Sequence, residues 1–87
     1  MIKAWDDAAW EDYWYWQKHD KKTLKRINAL LADIDRNGYD GIGKPEPLTG
    51  NLSGYWSRRI DAYNRIVYRI REYRVEIIQC GSHYRDS

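Results

Sequence analysis

Hydrophobic positions along this 87-residue chain change their spacing twice, and each change marks a change of element. Met1 to Trp5 reads as a short opening strand. Asp6 and Asp7 then supply a cap and first-turn negative charge for a helix. Trp10, Tyr13, Trp14 and Gln17 follow at i, i+3, i+4 and i+7, with Trp16 widening the stripe. That spacing predicts about three helical turns with an aromatic face packed into the core. Asp20 is the expected cap of a second helix. Leu24, Ile27, Leu30, Leu31 and Ile34 form its buried stripe, and Lys22, Lys25, Arg26 and Asp33 its wet side. Asn37-Gly38 closes it, because glycine takes the left-handed conformation without penalty. The link between the helices is too short for anything but an antiparallel hairpin.

From Gly38 to Gly54 the periodicity stops. This stretch holds five of the six glycines and both prolines, and it reads as loop. Beyond it the period becomes two: Tyr55 to Asp61, Asn64 to Arg71 and Arg74 to Gly81 are three expected strands. Turns near Ala62 and at Glu72-Tyr73 join them as an antiparallel meander. The order β-α-α-β-β-β is an α+β fold, a single domain over residues 1–87, with two antiparallel helices on one face of a small, mainly antiparallel sheet. The arginines are then expected on the open sheet face or at its edges.

Composition narrows the class. Hydrophobic residues make up 43% and charged residues 32%, which suits a folded domain and not a disordered one. There is no phenylalanine, so five Trp, eight Tyr and the aliphatics must build the core. The net charge of +2 says little, but its placement says more. Seven basic and seven acidic residues cancel up to Asn37; thereafter eight basic residues face six acidic ones, and seven of those eight are arginines between Arg58 and Arg85. Arginine's planar fork suits phosphate, although a solvated sheet face carrying both charges fits as well. The single cysteine, Cys80, has no internal partner and points to a reducing compartment. No apolar run approaches the roughly 20 residues of a membrane span, and a cytoplasmic location is expected.

The candidate chemistry begins with "KPEPLTGNLSGYWSRRI". Pro45 and Pro47 fix φ on either side of Glu46 and push the residues before them toward extended geometry, so Lys44-Pro45-Glu46-Pro47 is a stiff strut carrying a carboxylate. The alternative is a rigid surface loop whose glutamate faces water. Arg58 and Arg59 are adjacent on a strand and point to opposite faces, so at most one joins a given site. A turn centred on Ala62 sets Arg59 across from Arg65; a one-residue slip separates them, and the sequence leaves that register open. Pairing about Glu72-Tyr73 sets Arg65 opposite about Cys80, with His83 a few residues beyond. His19 reads as a surface or capping residue.

Together these groups fit RNA cleavage by 2′-hydroxyl attack. Such a reaction needs a base, an acid for the leaving 5′-oxygen and cations for the phosphorane. Glutamate at position 46 supplies the base, His83 an imidazole with an ordinary pKa of about 6.5, and Arg59 and Arg65 fixed charge. Tyr84 could stack on a base. One Cys and two distant His do not make a zinc site, "GIGKPEP" is not a phosphate loop, and Ser53 and Ser57 lack a histidine at triad spacing. No metal and no cofactor is expected.

The opening "W…WEDYWYWQ", the helix "LKRINALLADI", the stretch "GKPEPL…NLSGYWSRRI", the segment "NRIVYRI" and the terminal "HY" together resemble the YoeB (Txe) family of the RelE superfamily from end to end. That resemblance implies a RelE-like, microbial-ribonuclease-like fold and a toxin that cuts mRNA at codons in the ribosomal A site, arresting translation. It also implies contacts to the ribosome, a cognate antitoxin of the YefM/Axe kind laid across the toxin, and a homodimer. By motif, Glu46 would be the base, Arg65 the phosphate stabiliser, His83 the acid and Tyr84 a positioning group, with Arg59 and Lys44 as supporting phosphate contacts. Two features depart from the family: Thr49-Gly50 stands where a basic residue is common, and Arg85-Asp86-Ser87 continues past the His-Tyr pair. The competing readings are a non-catalytic, gyrase-inhibiting toxin of the ParE-like branch and a plain RNA-binding module.

Overall fold

Asp20 is the pivot of the helical half. In the computed structural model, which describes residues 1–82, it ends α1 (Asp7–His19) by donating its N–H to the Trp16 carbonyl and begins α2 (Lys21–Asn37) by accepting from Thr23 N–H and hydroxyl. One residue therefore serves two helix ends, and the helices fold back on each other, Tyr13 donating to Asn28 at 2.7 Å. Asp6 caps α1 by accepting from Ala9 N–H, as the sequence predicts. Gly38, at φ +66°, closes α2 through its own N–H to Ile34.

The sheet has five strands in the order β1-β5-β4-β3-β2. β1 (Ile2–Trp5) runs parallel to β5 (Arg74–Gly81); β5 and β4 (Arg65–Arg71), β4 and β3 (Trp56–Arg59), and β3 and β2 (Glu46–Pro47) are antiparallel. The helix-facing side is built from Ile66 and Tyr68 of β4 and Val75, Ile77 and Cys80 of β5. These meet Ala9 of α1 and Ile27, Leu30 and Ile34 of α2, all at or below 1% exposure. Full burial of each aliphatic is worth roughly 1.5–3 kcal/mol. Of the predicted stripe of α2, Ile27, Leu30, Leu31 and Ile34 are buried and Leu24 is only half-buried; Lys3 and the terminal amine tie β1 to α2 through Asp35. Among the described residues no helix is long and apolar enough to cross a membrane.

Four expectations need correction. The loop expected from Gly38 to Gly54 contains β2, because the strut carrying Glu46 pairs with Ser57 and Trp56. The aromatic face of α1 is only partly core: Tyr13 and Trp16 pack inward with Ala9, while Trp10 and Trp14 are 48% and 50% exposed. The apolar sector of α1 is wider than the part of it that β5 covers, and periodicity alone does not say which edge is left out. Asp33, expected on the wet side of α2, is buried. Finally, Arg65 faces Gly81 and not Cys80. Tyr68 pairs with Ile77 while Val67 pairs with Gln79, so Ile78 is a bulge that shifts the rest of β5 by one residue.

Candidate active site

Register decides which groups share a surface. Glu46 pairs with Ser57, Ser57 with Val67, and Val67 with Gln79. Paired residues point to the same side of a sheet, and Arg58 points to the helices, where it meets Tyr68 and Asp33. Glu46, Ser57, Val67 and Gln79 therefore lie on the opposite face. The next pairs along that face are Arg59 with Arg65 and Arg65 with Gly81. The register that the sequence left open is thus the one that puts both arginines on the face of Glu46. With strands about 4.8 Å apart and two residues spanning about 6.7 Å, the Glu46 backbone lies roughly 8 Å from Arg59 and roughly 12 Å from Arg65. Extended side chains from either end reach a phosphate placed between them. Ser57, Val67 and Gln79, all at most 3% exposed, form the floor.

The β3–β4 turn fixes Arg65. The Asp61 carboxylate accepts from the backbone N–H of Tyr63 and of Asn64, both at 2.8 Å, and from the Asn64 side chain. Burial pushes the Asp61 carboxyl up, but these donors and the Arg65 charge outweigh it and hold it below the ordinary carboxylate range. Arg65 Nη1 donates to the carbonyls of Asp61 and Asn64 at 3.0 and 3.2 Å. Its guanidinium is therefore anchored at the turn, whereas Arg59 is exposed.

Lys44 departs from the extended geometry expected before proline. It sits at φ +50°, in the left-handed region, and is exposed at the foot of the strut. Sequence reasoning placed Arg58 with the arginines of the open face or edges; it is fully buried on the helix side. A signal was present. Trp56, Arg58 and Ile60 alternate on one strand, and the two apolar members mark that face as inward.

His83 and Tyr84 lie outside the described residues. The strand that leads to them is held by α1: Cys80 N–H donates to Asp12 at 3.2 Å and the Trp16 indole donates to the Cys80 carbonyl at 2.8 Å. A Cβ at Gly81 would come within 3.3 Å of the Asp12 carboxylate, so the strand lies close on the helix there. Beside this junction a cleft of about 470 Å³ is lined by Glu11, Asp12, Tyr15, Trp16, Asn64, Gly81 and Ser82. Among the described residues its charged lining is Glu11 and Asp12.

A family model described as a YoeB-like toxin of bacterial type II toxin–antitoxin systems matches residues 5–84. The chain belongs to the YoeB-like toxin family. Family relatives include the toxin YoeB of Synechocystis, 54% identical over 84 residues, covering 97% of this chain and 98% of the relative. The toxin YoeB of Streptomyces coelicolor is 55% identical over 75 residues, covering 86% and 89%. Among solved structures, the YoeB/ParE toxin from Agrobacterium tumefaciens superimposes with a TM-score of 0.92 at 45% identity, covering 97% of this chain and all of that one. The toxin chain of the heterotetrameric YoeB–YefM complex from Staphylococcus aureus superimposes at 0.91 with 48% identity, covering 97% and 98%. YafQ from Escherichia coli, at 18% identity and a TM-score of 0.70, shares the fold.

Proposed function

We propose that this toxin is a ribosome-dependent endoribonuclease that cuts mRNA at codons in the ribosomal A site and so arrests translation. The observation that carries the reading is the register that sets Glu46, Arg59 and Arg65 on one sheet face. Glu46 takes the proton of the 2′-hydroxyl as the 2′-oxygen attacks phosphorus. The bond from phosphorus to the 5′-oxygen breaks, and His83 gives that oxygen its proton. Arg65 holds the charge that builds on the phosphorane, with Arg59 and Lys44 on flanking phosphates and Tyr84 against a base. The products are a 2′,3′-cyclic phosphate and a free 5′-hydroxyl. A stiff strut suits a base, since little conformational freedom is left to lose on reaching the reactive geometry.

Partners follow from the relatives. The Staphylococcus aureus structures are a YoeB–YefM complex and a YoeB dimer, and on this reading the chain likewise takes a YefM-like antitoxin and self-associates. Translating ribosomes carrying a defined A-site codon test the enzyme reading. Cut mRNA with a cyclic phosphate end is expected; uncut mRNA at stoichiometric toxin overturns it.

A further inference from the structure

We infer that Arg58 is a positioning residue for Glu46: its buried guanidinium gathers the Gly38–Ile42 segment and thereby sets where the strut joins the sheet. The inference rests on Glu46 being the base. All five N–H donors of Arg58 are used. Nε donates to the Tyr68 hydroxyl at 3.1 Å. Nη1 donates to the Asp33 carboxylate and to the Ile42 carbonyl, the latter at 3.0 Å. Nη2 donates to the carbonyls of Gly38 at 2.7 Å and Asp40 at 2.6 Å.

Three carbonyls from five consecutive residues can meet one guanidinium only if the backbone curls around it. Gly41, at φ +114°, makes that curl possible, and a Cβ there would lie 2.0 Å from Asp33 Oδ2. The same carboxylate oxygen accepts from Ile42 N–H at 3.1 Å, so Asp33 balances the buried charge and grips the segment too. The next carbonyl, of Gly43, accepts from Arg59 N–H at 2.7 Å. A side chain at Gly43 is also excluded, since its Cβ would meet Leu30 Cδ2 at 2.7 Å. Only Lys44 and the ring-locked Pro45 then separate this anchor from Glu46. The twin arginines thus divide the work. Arg59 faces the substrate side, while Arg58, with no exposed surface and no spare donor, holds the base's support.

A lysine cannot replace this arrangement, because its three donors radiate from one atom and do not form a planar fork. The test uses the full chain with Arg58→Lys, and with Asp33→Leu/Arg58→Met. The double variant removes both charges at once and so leaves neither buried without its partner. Amide exchange is read at Arg59, whose N–H is bound to Gly43, against Val67 in the sheet centre. Single-turnover mRNA cleavage and the salt dependence of ribosome affinity are measured alongside. Arg59 protection should fall about tenfold or more with Val67 unchanged. The cleavage rate should fall roughly 10- to 100-fold, with half-saturating ribosome concentration and salt slope preserved. Unchanged Arg59 protection and rate in folded variants overturn the inference. So does weaker ribosome binding with a shallower salt slope, which would make Arg58 a phosphate contact. If the wild type does not cleave mRNA, the nuclease reading fails separately, and exchange at Arg59 alone decides whether Arg58 holds the segment.

Discussion

The two faces of the sheet treat the same residue type in opposite ways. On the helix side Arg58 is enclosed, with every donor committed and Asp33 as its counter-charge. On the other side Arg59 and Arg65 stand paired across β3 and β4, Arg59 in solvent and Arg65 partly so. A buried charge is tolerated only when every donor finds a partner. An exposed guanidinium with spare donors is what an anionic ligand requires. Arginine content alone therefore does not separate a structural guanidinium from one open to a ligand; the face on which each arginine lies does.

Substitutions can break that contrast, and the largest effect is expected at Arg58. Arg58→Ala strands the Asp33 carboxylate and three carbonyls, and should lower the melting temperature by roughly 15 °C or more. A loss of a few degrees would show that the enclosed face is looser than described. On the open face Glu46→Gln should leave melting nearly unchanged while slowing single-turnover mRNA cleavage by about 10² or more. An unchanged rate would remove Glu46 from the role of base.

Acid should separate the faces next. The Asp33 carboxyl is held below the ordinary range, first by the hydrogen bond from Arg58, with burial working against it and donors from Ile42 and Asn37 adding to it. A carboxylate whose folded-state pKa is depressed stabilises the fold fully above its unfolded value of about 4. That contribution drains away as pH falls through the folded value. Thermal melts taken from neutral pH downward should therefore fall below about pH 4, and Asp33→Asn should make the fall shallower. Asp20, Asp35, Asp61 and Glu76, also lowered, act in the same direction.

Smaller effects complete the series. Arg59→Ala should move melting by no more than about 3 °C, yet reduce the salt slope of ribosome affinity by about 1. Equal slopes would mean that Arg59 touches no phosphate. Cys80, on the enclosed face, has its thiol pushed up to about 12 by burial, with Asp12 adding to the shift. Thiol reagents at mildly alkaline pH should leave it unmodified in the folded protein and label it on unfolding; rapid labelling of native protein would show that face open.

Much of this was legible in the chain. Most of the stripe of α2, the N-terminal caps at Asp6 and Asp20 and the meander follow from local spacing, and local spacing is what periodicity records. The pairing of Glu46's strut with "WSRR" was not legible, because a stretch without periodicity carries no register. The Ile78 bulge was not legible, since one extra residue in a strand leaves no mark on a period-two pattern this short. Nor was the burial of Asp33, which depends on a guanidinium 25 positions away and on carbonyls of a loop with no periodicity. Trp10 and Trp14 looked inward because aromatics at helical spacing usually are; which sector of α1 is covered is a property of β5, not of the helix.

Pro45 and Pro47 have a second consequence. β2 is one outer margin of the sheet, β1 the other. A margin strand with free N–H groups is a template on which another chain can add itself, and proline removes the donor that such addition needs. The two rings that stiffen the carboxylate's support therefore also blunt this margin. A partner that docks by extending the sheet is steered to the opposite side, along Ile2–Trp5.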